Sequence, residues 1–166
     1  AAFTAQGSCN CLSPKLLVLD ADWPQREAFC DQIRQILSKM PLPPPHYPGT
    51  SERYLGFLSA YPSDRLEAID TGPDPGSSAH GLGSGHPWLL IHLDADSSPY
   101  ALQHEAFAPV LAIYTIPADN DPKRFLESAV SLVNDKVWGT LSCTLVVHPT
   151  LDNGTASATE QAITDL

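Results

Sequence analysis

Basic side chains are scarce in this chain: 9 Lys and Arg stand against 19 Asp and Glu, a formal charge of −10. Such a field repels phosphate backbones and anionic lipid, which argues against nucleic acid and against membrane surfaces as partners. Long apolar runs are missing too, and none approaches the ~20 residues needed to span a bilayer. The opening Ala1-Ala-Phe-Thr-Ala-Gln-Gly-Ser8 has no basic flank followed by an apolar stretch, so it does not read as a secretory signal. Cysteine is sparse: Cys9, Cys11, Cys30 and Cys143 are too few and too scattered for a disulfide scaffold in 166 residues. A cytoplasmic or other reducing intracellular compartment is therefore expected. The paired Cys/His clusters of structural zinc are absent, and no metal site is expected. No internal repeat is visible.

Two further shortages bear on organisation. Charged residues make up only 17% of the chain while hydrophobic ones make up 43%, enough for one domain with a real core. The low charge implies that part of the surface is covered by missing chain or by another subunit. The stretch at about 62–87 is rich in Gly, Pro, Ser and Asp and reads as exposed loop. Its glycines, from Gly72 to Gly85, are not followed by Lys or preceded by an apolar strand, so they do not make a phosphate cradle.

What is present is an alternation of strand and helix patterns. Leu16-Leu-Val-Leu19 is a continuous apolar run, the mark of a strand covered on both faces. Asp20 or Asp22 with Pro24 reads as the capped start of a helix, and Phe29, Ile33, Ile36, Leu37 and Met40 recur at helical spacing. The proline-rich 41–49 segment breaks that helix, and Ser51 can cap a short one containing Tyr54, Leu55 and Leu58. Trp88–His92 and Val110–Ile116 read as two more strands, and Asp94-Ala-Asp96 as a turn. Asp121-Pro122 opens a helix with Phe125, Ala129, Leu132 and Val133 on its buried face. Leu141–Val147 reads as a fourth strand, and Ser157–Leu166 as a last helix. The order argues for an α/β domain, three-layer αβα with a largely parallel sheet. The abrupt ends read as those of a piece of a longer protein.

Three stretches carry chemistry: Phe3-Thr-Ala-Gln-Gly-Ser-Cys-Asn-Cys11-Leu-Ser-Pro-Lys-Leu-Leu-Val18, Glu105-Ala-Phe-Ala-Pro-Val110 and Asn134-Asp-Lys-Val-Trp-Gly-Thr-Leu141. Together they resemble the catalytic, nucleophile-bearing domain of the aldehyde dehydrogenase superfamily, over nearly all of residues 1–166. That family places a nucleophilic cysteine shortly before a small-residue/Pro/basic segment and a strand. Cys11, followed by Ser13-Pro14-Lys15, takes that position, and Asn10-Cys11 looks like a less common branch of the family. The second stretch is similar to Glu-x-Phe-Gly-Pro-Val, with Ala108 for glycine, and the third to Asn-x-x-x-Tyr-Gly-Leu, with Trp138 for tyrosine.

The resemblance implies an incomplete part of an NAD(P)-dependent aldehyde dehydrogenase, with the cofactor, NAD or NADP, bound only partly by this chain. Cys11 would add to the aldehyde carbonyl as a thiolate, making the thiohemiacetal from which hydride leaves. Glu105 would accept from a nicotinamide-ribose hydroxyl, and Phe107 would pack against that ribose or ring. Pro109 would fix the chain entering the strand at Val110. The phosphate-binding part, the general base and the asparagine of the oxyanion hole lie outside this segment in the family. The implied partners are therefore an aldehyde substrate, the missing cofactor-domain chain or other subunits, and a homo-oligomer for the full-length parent.

Plainer readings stand beside these. Cysteine is among the most buried residue types, so Cys30 in a helix and Cys143 in a strand read as packing. Cys9 is an alternative nucleophile, with a poorer offset from Pro14. His92 and His104 read as strand-edge and loop residues. The alternative function is a non-catalytic aldehyde dehydrogenase-like domain kept as a structural or assembly subunit.

Overall fold

The computed structural model describes residues 3–41, 44–45, 47–69, 71, 85–146 and 156–165, with the side chains of the final helix described from 160 onward. Four strands form one sheet: β1 (Leu16–Asp20), β2 (Leu66–Ile69), β3 (Trp88–Leu93) and β4 (Val110–Ile116), in the order β1-β4-β3-β2. β4 runs parallel to both β1 and β3, and β2 is antiparallel at the edge. β3 and β4 are the central strands, and their uninterrupted apolar runs follow from burial on both faces. Leu89, Leu90, Ile91, Val110, Ala112 and Ile113 are all fully or almost fully buried.

Successive strand residues point to opposite faces, and each face gathers its own core. Leu89, Ile91, Val110 and Ala112 meet Tyr54 and Phe57 of helix α2 (Thr50–Ala60), Leu102 of the short α3 (Tyr100–Gln103) and Leu132 of α4 (Pro122–Lys136). Trp88, Leu90, Leu111 and Ile113 meet Cys30 and Leu37 of α1 (Arg26–Leu37). Helices therefore cover both faces, in the expected three-layer arrangement with a largely parallel sheet. Arg34 of α1 also donates to Glu67 of β2 at 2.7 Å, and Glu67 lies 3.0 Å from His92 of β3. This chain of polar contacts fastens α1 to the antiparallel edge. A last helix, α5 (Ala156–Asp165), lies against α4, with Asn134 Nδ2 donating to the Asp165 carbonyl at 2.6 Å. Among the described residues no helix is long and apolar enough to cross a membrane.

Several expectations shift. α1 starts at Arg26, and neither Asp20 nor Asp22 caps it. Asp22 instead accepts from the backbone N–H of Ala118 and Asp119 at 3.1 and 2.8 Å, tying the loop after β1 to the loop after β4. Asp121 does cap α4, accepting from Lys123 and Arg124, with Pro122 in the first turn. Within α1, Phe29 and Ile36 are 39% and 55% exposed, because the buried stripe runs through Cys30 and Leu37, with Ile33 and, beyond the helix, Met40 packed beside it. α2 begins at Thr50 after a left-handed Gly49 (φ 78°), so Ser51 lies inside it; Phe57 is buried there while Leu55 is exposed.

The stretch expected to be loop contains β2, which the sheet edge supplies with a partner; residues 70 and 72–84 lie outside the described set. Of the expected strand Leu141–Val147, residues 141–146 form none, with Leu141 and Val146 66% and 88% exposed, and Val147 lies outside the described residues. A β-prone run becomes a strand only beside another strand, and no described strand edge reaches it. Cys143 is consequently exposed, whereas Cys30 is buried as expected.

A fully buried central-strand residue contributes far more than an exposed one. Leu90→Ala should lower the unfolding free energy by about 2–5 kcal/mol, and Val146→Ala should stay within about 0.5 kcal/mol, as read by urea denaturation. Equal losses would contradict the assigned core.

Candidate functional site

The parallel register decides where the candidate residues meet. Leu16 pairs with Ala112, and the Ala112 N–H donates to the Lys15 carbonyl at 2.9 Å. The loop that leads into β1 therefore lies beside the loop that leads into β4. One carries Cys9, Cys11 and Lys15, and the other carries Glu105 and Phe107.

The first loop is held in an unusual conformation. Gln6, Gly7 and Ser8 all take positive φ, at 51°, 63° and 64°. Left-handed backbone costs a residue with a Cβ roughly 1–2 kcal/mol, so Gln6 and Ser8 require support from their surroundings. Ser8 is fully buried, and the Lys15 ammonium donates to both its carbonyl and its hydroxyl oxygen. The chain then turns again. Asn10 Oδ1 accepts from the Leu12 N–H at 2.8 Å, and the Asn10 carbonyl accepts from the Ser13 N–H at 3.0 Å. This side-chain-to-backbone turn is a habit of asparagine. It leaves Cys11 exposed at the tip, with Cys9 2% exposed behind it.

The second loop is strained at one point. Phe107 has φ 41°, and its carbonyl accepts from Cys9 Sγ at 3.2 Å and from an Arg53 nitrogen at 3.3 Å. Arg53, from the first turn of α2, also donates to the Ala106 carbonyl at 3.1 Å and to the Thr50 hydroxyl at 3.3 Å. The Phe107 ring meets Tyr47 edge-on, with centroids 5.4 Å apart, and the Lys15 ammonium lies 5.5 Å from its centroid. Pro109 is buried, and its carbonyl accepts from the Leu89 N–H at 2.8 Å where the chain enters β4. Glu105 is exposed.

Lys15 is the electrostatic centre of this arrangement. Burial pushes its ammonium down from an ordinary 10.5 to about 8, opposed chiefly by the negative charge of Glu105, which favours the protonated form. Of the three residues named from the sequence, the Phe107 ring lies 5.5 Å from the half-buried Lys15 ammonium, and Glu105 acts on that ammonium electrostatically. Burial likewise pushes the Cys30 thiol up, in keeping with a packing role. The third stretch takes no part in this cluster: Trp138 is 76% exposed and donates its backbone N–H to Leu102 at 2.8 Å. His92 is engaged by Glu67, and His104 stacks on Tyr100.

Lys15 was visible in the sequence only as part of a motif, and Arg53, Thr50 and Ser8 were not singled out at all. The Gly49-Thr-Ser-Glu-Arg53 helix start gives no hint, in one dimension, that the arginine reaches a loop more than fifty residues away. Two clefts of about 260 and 450 Å³ lie elsewhere. The smaller is lined by Arg26, Arg34, Arg65 and His92 and the larger by Asp94, Tyr114, Ser131 and Lys136, both toward the opposite ends of the central strands. Among the described residues no group of His, Cys, Asp and Glu could hold a metal ion.

This architecture has counterparts among solved structures. The chain superposes on lactaldehyde dehydrogenase from Escherichia coli over 97% of its own length, with a TM-score of 0.64 at 16% identity, covering 32% of that protein. Against betaine aldehyde dehydrogenase from Staphylococcus aureus in complex with NAD+, the coverage is 97% and 31%, the TM-score 0.66 and the identity 12%. An aldehyde dehydrogenase from Bacillus cereus, as its NAD+ complex, gives 99%, 31%, 0.66 and 12%. The fold is that of the aldehyde dehydrogenases. The chain spans about a third of the length of these aldehyde dehydrogenase structures. No family model and no curated protein sequence matches it.

The geometry sorts the four free cysteines into two classes. Under native conditions a maleimide should label Cys11 and Cys143 within minutes, while Cys9 and Cys30 should react only on unfolding, as read by peptide mass mapping. Native labelling of Cys9 ahead of Cys11 would contradict the described loop.

Proposed function

We propose that this chain is the nucleophile-bearing part of an NAD(P)-dependent aldehyde dehydrogenase, with Cys11 as the nucleophile and Glu105 and Phe107 as cofactor-facing residues. The observation that carries this reading is the placement of an exposed thiol, braced by Asn10, on a loop bonded directly to the Glu105–Phe107 loop. A nucleophile must be reachable by its substrate, which favours Cys11 over the buried Cys9. Cys9 has a different task in this reading, holding the Phe107 carbonyl.

The Cys11 thiolate adds to the aldehyde carbon, forming the C–S bond while the carbonyl electron pair moves to oxygen. The N–H of Cys11 itself is a candidate donor to that oxyanion. A nicotinamide supplies the hydride acceptor when bound, and loss of hydride leaves an acyl group on the sulfur. Water then releases the carboxylic acid with the help of a base from outside this chain. The residues present suit a nicotinamide riboside. Glu105 offers an exposed carboxylate as acceptor for ribose hydroxyls, beside the half-buried ring of Phe107.

A second reading, a non-catalytic domain serving as a structural or assembly subunit, draws on a different surface. Trp138, Leu141 and Val146 are 76%, 66% and 88% exposed along a segment with no strand partner among the described residues.

Both readings meet in one assay of the complete protein containing this chain, with short aldehydes and NAD(P). Cys11→Ala should abolish turnover, and Cys9→Ser should retain it in part. Glu105→Gln should raise the KM for the dinucleotide about 10- to 100-fold, the scale of one hydrogen bond to a charged group. Full turnover by Cys11→Ala would sink the first reading, and absence of any turnover or any reactive thiol in the parent would favour the second.

A further inference from the structure

Arg53 is used differently from the other arginines of the chain. Arg26, Arg34, Arg65 and Arg124 each pair with a carboxylate. Arg53, half-buried in the first turn of α2, turns its donors to neutral oxygens instead. Its Nε donates to the Ala106 carbonyl at 3.1 Å, and its Nη2 donates to the Phe107 carbonyl and to the Thr50 hydroxyl, both at 3.3 Å. Nη1 donates to the Pro48 carbonyl at 3.3 Å, and the guanidinium carbon lies 6.0 Å from the Phe107 ring centroid. The Ala106 and Phe107 carbonyls belong to the two peptide planes on either side of the Phe107 Cα. A guanidinium presents its donors in one rigid fork, so gripping both planes holds the backbone angles between them, including the positive φ of Phe107. Cys9 Sγ closes the clamp from the other side, 3.2 Å from the same Phe107 oxygen and 3.8 Å from the Thr50 hydroxyl.

We infer that Arg53 is a positioning residue for the dinucleotide, acting through the loop it grips: it fixes where the Phe107 ring and the neighbouring Glu105 carboxylate are presented. The inference rests on the reading of Glu105 and Phe107 as cofactor-facing, and it deepens that reading by naming what holds them. Released from Arg53, Phe107 relaxes from its left-handed conformation, and the loop spends only part of its time in the form that receives the cofactor. Apparent affinity then falls in proportion to that fraction.

The test is equilibrium binding of NADH and of NADPH to the complete protein, read by the fluorescence of the bound nicotinamide, with steady-state kinetics alongside. Arg53→Met should raise the Kd and the KM of the dinucleotide about 10-fold, as expected when one conformer in about ten is competent, and should leave the aldehyde KM within about twofold. Arg53→Lys keeps the charge and loses the fork, and should raise the Kd about threefold. With Glu105→Gln already in place, Arg53→Met should add less than about threefold, because the two changes remove the same contact. An Arg53→Met protein that binds dinucleotide as tightly as the unaltered one, effects of Arg53→Met and Glu105→Gln that multiply in full, or an Arg53→Lys protein with unaltered Kd would each overturn the inference. Should Arg53→Met fail to fold by circular dichroism, Arg53→Lys decides alone. A Kd that neither Glu105→Gln nor Phe107→Leu changes would sink the cofactor-facing reading itself, and the role of Arg53 with it.

Discussion

The carbonyl oxygen of Phe107 is the point on which the site depends. Phe107 sits in a left-handed conformation that costs a residue with a Cβ roughly 1–2 kcal/mol, and its oxygen is drawn inward to Cys9 Sγ and the Arg53 guanidinium. Those contacts tie together residues 9, 53 and 107, from three separate stretches of chain. A part-buried carbonyl that loses its donors costs about 1–3 kcal/mol, so the two strained loops support one another. Arg53 is itself held by its helix start. Gly49 supplies the left-handed turn, and a Cβ there would come within 2.9 Å of the Arg53 side chain.

The sheet sets this constraint in place. Parallel strands share their starting edge, and the register of β1 on β4 brings the residues that precede both strands side by side. In open α/β sheets the opposite edge, where strands end, is the usual place for ligands. The two clefts described above lie toward that edge, lined by residues such as His92, Asp94 and Thr115. The thiol loops lie instead at the starting edge, with Cys11 exposed and Cys9 and Ser8 buried behind it.

Much of the architecture was legible because burial on two faces leaves a plain mark. β3 and β4 were readable as apolar runs, and α4 as an aspartate cap, a proline and a periodic stripe. The antiparallel β2 was hidden because its Leu-Glu-Ala-Ile has the mixed polarity of an edge, inside a stretch rich in glycine and proline. Leu141–Val146 misled in the opposite direction, since its residues favour a strand but a strand needs a neighbour. Cys11, Glu105 and Phe107 were named through motif resemblance, and of these the Phe107 ring lies 5.5 Å from the Lys15 ammonium. Lys15 and Arg53 escaped as functional residues because nothing local marks a long side chain that will reach another loop.

The most direct measurement is a rapid acid quench of the complete protein during turnover of an aldehyde with NAD(P), followed by peptide mass mapping. An acyl adduct on the peptide carrying Cys11, and specifically on that sulfur, is the predicted result. An adduct on Cys9, or steady turnover with no acylated cysteine, would contradict the account.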